Sequence, residues 1–171
     1  MLGKGDLSAL GKLFDLTAPR LLRYAQALTR NREDAEDALQ AAMIRLAQNP
    51  KRFGSANHPW PYFLQVLRNE TLKLIARRKP TQVLPDKTGL SSYDSADAEF
   101  AECQAQIKQA LRHLPQEQAE VVVLKIWEEM TFAEIAVVLN ESPNTAASRY
   151  RYALSKLSRL LEHVAEDVLY E

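Results

Sequence analysis

Residues 131–161 read TFAEIAVVLNESPNTAASRYRYALSKLSRLL, and this stretch decides the fold class of the C-terminal half. Thr131 with Glu134 three residues on is a capping box, so a short helix is predicted over 131–139. Asn140-Glu141-Ser142 then makes a tight turn, because Asn tolerates the left-handed backbone needed just past a helix end. Ser142 can cap a second helix with Pro143 at its first position. Helix, three-residue turn, helix is the helix-turn-helix unit, whose second helix enters the DNA major groove through its N-terminal residues. On that helix the candidate DNA contacts are Asn144, Ala147, Ser148, Arg149 and Arg151. Arg can read guanine with two donors, while Ser and the helix N-terminus suit phosphate. Thr145 and Ala146 are expected to cap and pack. A plain helical hairpin is the bland alternative. Small residues, hydroxyls and Arg cluster where a reading face must approach DNA closely, which favours the DNA-binding reading.

Outward from this unit the rest of the chain is also helical in pattern. Ile107, Ala110, Leu111 and Leu114 form an amphipathic segment ending at Pro115, and Ala119, Val122, Val123 and Ile126 form the next. In the first block Asp6 is a candidate cap for a helix carrying Leu7, Leu10, Leu13 and Phe14. A second helix is predicted to open near Pro19 and to bury Leu21, Leu22, Ala25 and Leu28. Asn31 can cap a third, with Glu33, Asp34 and Glu36 in its first turn where the helix dipole favours acids, and an apolar stripe of Ala35, Ala38, Leu39, Ala42, Met43 and Leu46. Residues 49–59 are rich in turn formers and read as a loop. A fourth helix is predicted over 60–78 with Phe63, Leu64, Leu67, Leu74 and Ile75 inward. Between the blocks, PTQVLPDKTGLSSYDS has a linker composition. The expectation is all-α: two small helical domains, residues 1–79 and 96–171, joined by a flexible linker over 80–95. Sixteen extended linker residues reach about 53–58 Å, enough to let two domains work at separated places.

Gly is scarce, with five residues, and the longest β-branched run, Val121-Val122-Val123, sits inside a helical pattern. The single Cys103 cannot form an internal disulfide, and no metal-ligand spacing, phosphate loop or nucleophile–base pair is visible. The chain is therefore expected to be no enzyme and to need no cofactor. The N-terminus lacks an apolar signal core and no apolar run approaches membrane-spanning length, so a cytoplasmic location is expected. Lys plus Arg equals Asp plus Glu, 22 of each. That balance is unusual for a DNA-binding chain, but the charge is unevenly placed. Arg68, Lys73, Arg77, Arg78 and Lys79 face one acid, Glu70, and Arg149, Arg151, Lys156 and Arg159 share residues 143–159 with none. Two local basic stripes on a neutral body imply two nucleic-acid contacts, each weak alone.

Leu114-Pro115, Glu134-Ile135-Ala136 and Asn144-Thr145-Ala146-Ala147-Ser148-Arg149, with Ala153 and Leu157, resemble the C-terminal domain of the extracytoplasmic-function (ECF) sigma factors of bacterial RNA polymerase. Asp34-Ala35-Glu36-Asp37-Ala38-Leu39-Gln40 resembles the family's D-A-E-D-x-x-Q signature, and Trp60-Pro61-Tyr62-Phe63-Leu64 with Arg68-Asn69 and Arg77-Arg78 resembles its W-x-x-x-L…N…R-R helix. The motifs fall in the family's order over nearly the whole chain.

The resemblance implies a protein that binds core polymerase, through the β′ clamp helices and the β flap, and directs initiation at promoters, with an anti-sigma factor as a further partner. It implies polymerase contacts at Asp34, Asp37 and Gln40; Asp34 and Glu36 also suit the helix dipole. It implies minus-ten contacts at Phe53, Asn57 and His58, in the loop that would hold an unstacked base, and at Arg68, Asn69, Lys73 and Arg77. Trp60 and Phe63 are expected in the core. Asn144, Ala147, Ser148, Arg149 and Arg151 would read the minus-thirty-five element. Ala147 and Tyr152 stand where many members carry a basic residue, which implies a less common readout. Two other readings compete: a regulator acting on DNA without polymerase, for which the D-A-E-D-x-x-Q helix would have no use, and a sigma mimic that only titrates a regulatory partner.

Overall fold

The computed structural model describes residues 7–77, 106–107 and 109–169, with side chains over 11–12, 14–77, 106–107 and 109–161. The Asp6 cap, Arg78, Lys79, the 80–95 linker, Cys103 and the side chains of Leu7, Leu10 and Leu13 lie outside these residues. All regular structure among the described residues is helical, as the sequence predicts.

Helix α1 runs from Leu7 to Thr29 without a break and carries Pro19 inside it, so the predicted second start at Pro19 is corrected to one 23-residue helix. An interior proline forfeits a backbone hydrogen bond, at a cost of about 3 kcal/mol. The helix continues because Leu21, Tyr24, Ala25 and Leu28 beyond it are all buried, and each large buried side chain contributes about 1.5–3 kcal/mol. Arg30, with φ 55°, then turns the chain, and Asn31 caps α2 (Arg32–Gln48) by accepting from the Asp34 N–H at 3.1 Å. The predicted stripe on α2 is buried except for half-buried Met43. The loop expected over 49–59 contains a short helix, α3 (Pro50–Gly54), because Pro50 sits at its first turn and Phe53 has a core to enter. Helix α4 (Pro59–Arg77) buries Phe63, Leu64 and Leu67, while Leu74 and Ile75 are half-buried.

In the second half, residues 109–112 are helical and bury Ala110 and Leu111, whereas Ile107 remains exposed. Helix α5 (Gln116–Ile126) is buried around most of its girth, with Val121, Val122, Val123, Leu124 and even Glu120 inside and Ile126 outside. Helix α6 (Phe132–Leu139) opens on the predicted capping box and ends with Asn140 at φ 56°, ψ 49°. The Glu141 N–H donates to the Ala136 carbonyl across that turn at 3.1 Å. Ser142 Oγ accepts from the Thr145 N–H at 3.0 Å and starts α7 (Pro143–Leu169).

The helix-turn-helix is therefore formed as the sequence predicts. Ala146 and Ala153, both fully buried, let α7 lie close on its neighbours. Helices α1, α2 and α4 pack on one another, as do α5, α6 and α7. The two halves also meet, α1 against α5 and α4 against α6, and one continuous apolar core runs through both.

Candidate nucleic-acid interface

The outer face of α7 carries the exposed Asn144, Arg151 and Tyr152, with Ala147 and Ser148 half-buried beside them. Ser148 Oγ accepts from Arg151 Nη2 at 3.3 Å. Residues 144, 148, 151, 152 and 155 share one side of a helix at 3.6 residues per turn, and none is acidic. Tyr152 is 66% exposed and stands four residues past Ser148 on that face. The sequence treats it only as a departure, although the i, i+4 spacing alone places it there.

Arg149 behaves differently. Its guanidinium turns inward to Glu141 in the turn and to Glu117 on α5, the latter at 3.1 Å. Burial raises the Glu141 carboxyl above its ordinary value even against the opposing charge of Arg149.

On α4, Asn69, Lys73 and Arg77 recur every four residues on an exposed side. Lys73 and Arg45 both pair with Glu70, at 2.8 and 3.1 Å. Asn57 and His58 are exposed in the turn that precedes α4. Phe53 is not beside them at the surface: it is 5% exposed, its ring 6.3 Å from Tyr62 and 6.1 Å from Phe63, so in this arrangement it packs and does not offer a stacking face. Phe63 is fully buried and Trp60 half-buried, with the Arg20 guanidinium 4.6 Å above the Trp60 ring.

On α2, Asp37 and Gln40 are exposed, one turn apart. Asp34 is only 6% exposed and lies on the inner side, so the structure does not bring it to the surface that Asp37 and Gln40 share. Gln40 and Glu36 edge an open groove of about 540 Å³ between α1 and α2, floored by Phe14, Leu22, Leu39 and Met43.

Arg68 leaves the α4 stripe and enters the seam between the halves. Its Nε and Nη2 donate to the two oxygens of Glu120 at 2.8 and 3.3 Å, and the Tyr24 hydroxyl donates to the same carboxylate at 2.6 Å. Burial, reinforced by Glu120, holds the Tyr24 hydroxyl far above its usual range. For Arg68, burial pulls toward the neutral form, but the hydrogen bonds and charge of Glu120 outweigh it and raise the guanidinium further. Arg20 and Arg23 meet Glu128 at 2.8 and 3.5 Å, and the Gln65 amide donates to the Val137 carbonyl at 2.7 Å. Sequence spacing missed Glu120 and Glu128 as buried groups. The one local signal was the position of Glu120 between Ala119 and the Val run.

Comparison with known proteins gives the geometry a family. Residues 13–81 match the family Sigma-70 region 2, and residues 104–157 match Sigma-70, region 4. The chain is 32% identical over 146 residues to the RNA polymerase sigma-E factor of Streptomyces avermitilis, covering 83% of this chain and 79% of that one. It is 32% identical over 169 residues to the ECF RNA polymerase sigma factor SigM of Mycobacterium tuberculosis, covering 96% and 83%. Among solved structures, the sigma factor RpoE in complex with the anti-sigma factor NepR from Bartonella quintana has the same fold, with TM-score 0.75, 20% identity and coverage of 91% and 98%. CnrH in complex with the cytosolic domain of CnrY aligns with TM-score 0.71, 20% identity and coverage of 95% and 93%. The chain belongs to the ECF group of bacterial RNA polymerase sigma factors.

Proposed function

We propose that this sigma factor binds core polymerase through the Asp37–Gln40 side of α2 and directs initiation at promoters with two elements. The turn before α4, with Asn57 and His58, and the α4 stripe Asn69, Lys73 and Arg77 take the minus-ten strand. Helix α7 reads the minus-thirty-five duplex through Asn144, Ala147, Ser148 and Arg151, with Tyr152 adding a contact on the same face. The acid-free face of α7 over residues 144–155, set at the end of a helix-turn-helix by the left-handed Asn140, is the observation that supports this reading most strongly.

Arg68 and Arg149 join these contacts only after leaving their carboxylate partners. Phe53 stacks on a base only if α3 releases it, and Asp34 supports α2 from within rather than touching polymerase. An anti-sigma factor is a further partner class, and the protein works in the cytoplasm without chemistry of its own. No helix among the described residues is long and apolar enough to cross a membrane.

The test is to add the full chain to bacterial core polymerase and map transcripts on genomic DNA. Start sites sharing two upstream elements are expected. Transcripts no different from core alone would overturn the reading, and sequence-specific duplex binding without any effect of core would favour a conventional regulator.

A further inference from the structure

Beside the apolar core that the halves share, the seam between them also holds buried charge. The side chains of Glu120 and Glu128 are 2% and 1% exposed. Both belong to the C-terminal half, and the hydrogen-bonding partners that bury them belong to the other: Arg68 on α4, and Arg20, Arg23 and Tyr24 on α1. A buried carboxylate keeps its charge only while paired, so each of these contacts depends on the halves staying together. Arg68 meets Glu120 through two donors, the forked geometry a guanidinium also presents to phosphate.

The reading helix is tied to the same cluster. Arg149 is held by Glu141 and Glu117, and Glu141 lies close enough for its charge to act on Arg68. Helix α6 meanwhile rests on α4, through Gln65 and the Val137 carbonyl. While α6 is seated there, the half that carries α7 stays in contact with the half that carries α4.

We propose that Glu120 and Glu128 are internal anions that latch the two halves together and compete with promoter phosphates for Arg20, Arg23 and Arg68. This rests on the reading of α4 as a DNA-contacting helix. The free chain is then closed, and DNA or core polymerase opens it by displacing the two carboxylates. Arg20 and Arg23 thereby become phosphate contacts that no sequence motif indicates.

The test uses the full chain, its Glu120→Gln/Glu128→Gln variant and Arg68→Gln, each checked for unchanged far-ultraviolet helicity. Small-angle scattering reads closure, and anisotropy with a forked duplex reads DNA affinity of the free protein. The double Gln variant removes both anions and should expand relative to the parent, whereas Arg68→Gln releases Glu120 alone, leaves Arg20 and Arg23 on Glu128, and should expand less. The double Gln variant should gain about tenfold in DNA affinity, because it frees arginines, whereas Arg68→Gln should gain much less, because it removes one. A double variant as compact as the parent, or an equal gain in Arg68→Gln, would overturn the proposal. Transcription with core polymerase is followed on the same proteins. Its absence in the parent would count against the assigned function and leave the scattering result to decide the latch.

Discussion

Arg149→Met separates a brace from a base reader. The Arg149 side chain is 29% exposed, and its partners differ: the Glu117 side chain is 67% exposed and that of Glu141 12%. The Glu117 arm, in solvent, contributes at most about 1 kcal/mol. The Glu141 arm matters more. Glu141 Oε1 already has no hydrogen-bond partner, so removing the guanidinium leaves both carboxylate oxygens of a largely buried group unpaired among protein atoms. An unsatisfied buried acceptor costs about 1–3 kcal/mol, below the ~3–5 kcal/mol of a fully buried ion pair because Arg149 is partly in water. A loss of about 2 kcal/mol corresponds to roughly 4–8 °C in Tm for a chain of this size. The sign with pH is fixed. Burial raises the Glu141 carboxyl above its ordinary 4.5, and Arg149 opposes the rise. Without Arg149 the folded protein holds that proton more tightly than the unfolded chain. The penalty is therefore full above the raised folded value and fades as pH falls through it toward 4.5. Urea unfolding of parent and variant at neutral and mildly acidic pH measures the gap. Equal stability at neutral pH would refute the brace, and a gap that ignores pH would show that Glu141 is not the stranded group. Lost promoter activity with unchanged stability would instead make Arg149 a reader only.

Asp37→Lys should weaken binding to core polymerase by roughly tenfold with helicity unchanged, since Asp37 is an exposed charge on α2; a titration showing parental affinity would end that assignment. Thr131→Ala should cost about 1 kcal/mol, because the Thr131 hydroxyl accepts the Glu134 N–H at 3.2 Å, and thermal melts check it. The Thr131 N–H and then its hydroxyl hold the Glu134 carboxyl below its ordinary 4.5. Its support for α6 is accordingly present above 4.5 and lost as pH falls through the lowered value, so the stability gap between parent and Glu134→Gln should close in acid.

The helix-turn-helix was readable because each of its determinants is local. Thr131 and Glu134 satisfy each other across one turn, Asn140 supplies its own left-handed backbone, and Ser142 lies three residues from the N–H it caps. Asn31 on α2 is the same case. Pro19 misled for a reason of the same kind: at a first helical turn proline is favourable, and nothing within four residues reveals that α1 is already under way. What keeps α1 intact is the burial of Leu21, Tyr24 and Ala25 against α2, α4 and α5, which local spacing does not contain.

The candidate contacts divide along the same line. Asp37, Gln40, Asn69, Lys73, Arg77, Asn144 and Arg151 are exposed because their own helices turn them outward, and helical period alone predicts that. Arg68 and Arg149 share those helices and are basic, so by composition they belong to the same stripes. Their partners, Glu120 for the first and Glu117 and Glu141 for the second, come partly from chain segments 52 and 32 residues away. A net charge of zero then acquires a structural sense. Some of the acids that cancel the basic stripes sit directly on the stripes' arginines, so the balance is made by contact and not only by distribution. A chain built this way presents less positive charge to DNA when closed than when open, and its DNA affinity is a property of its conformation as much as of its composition.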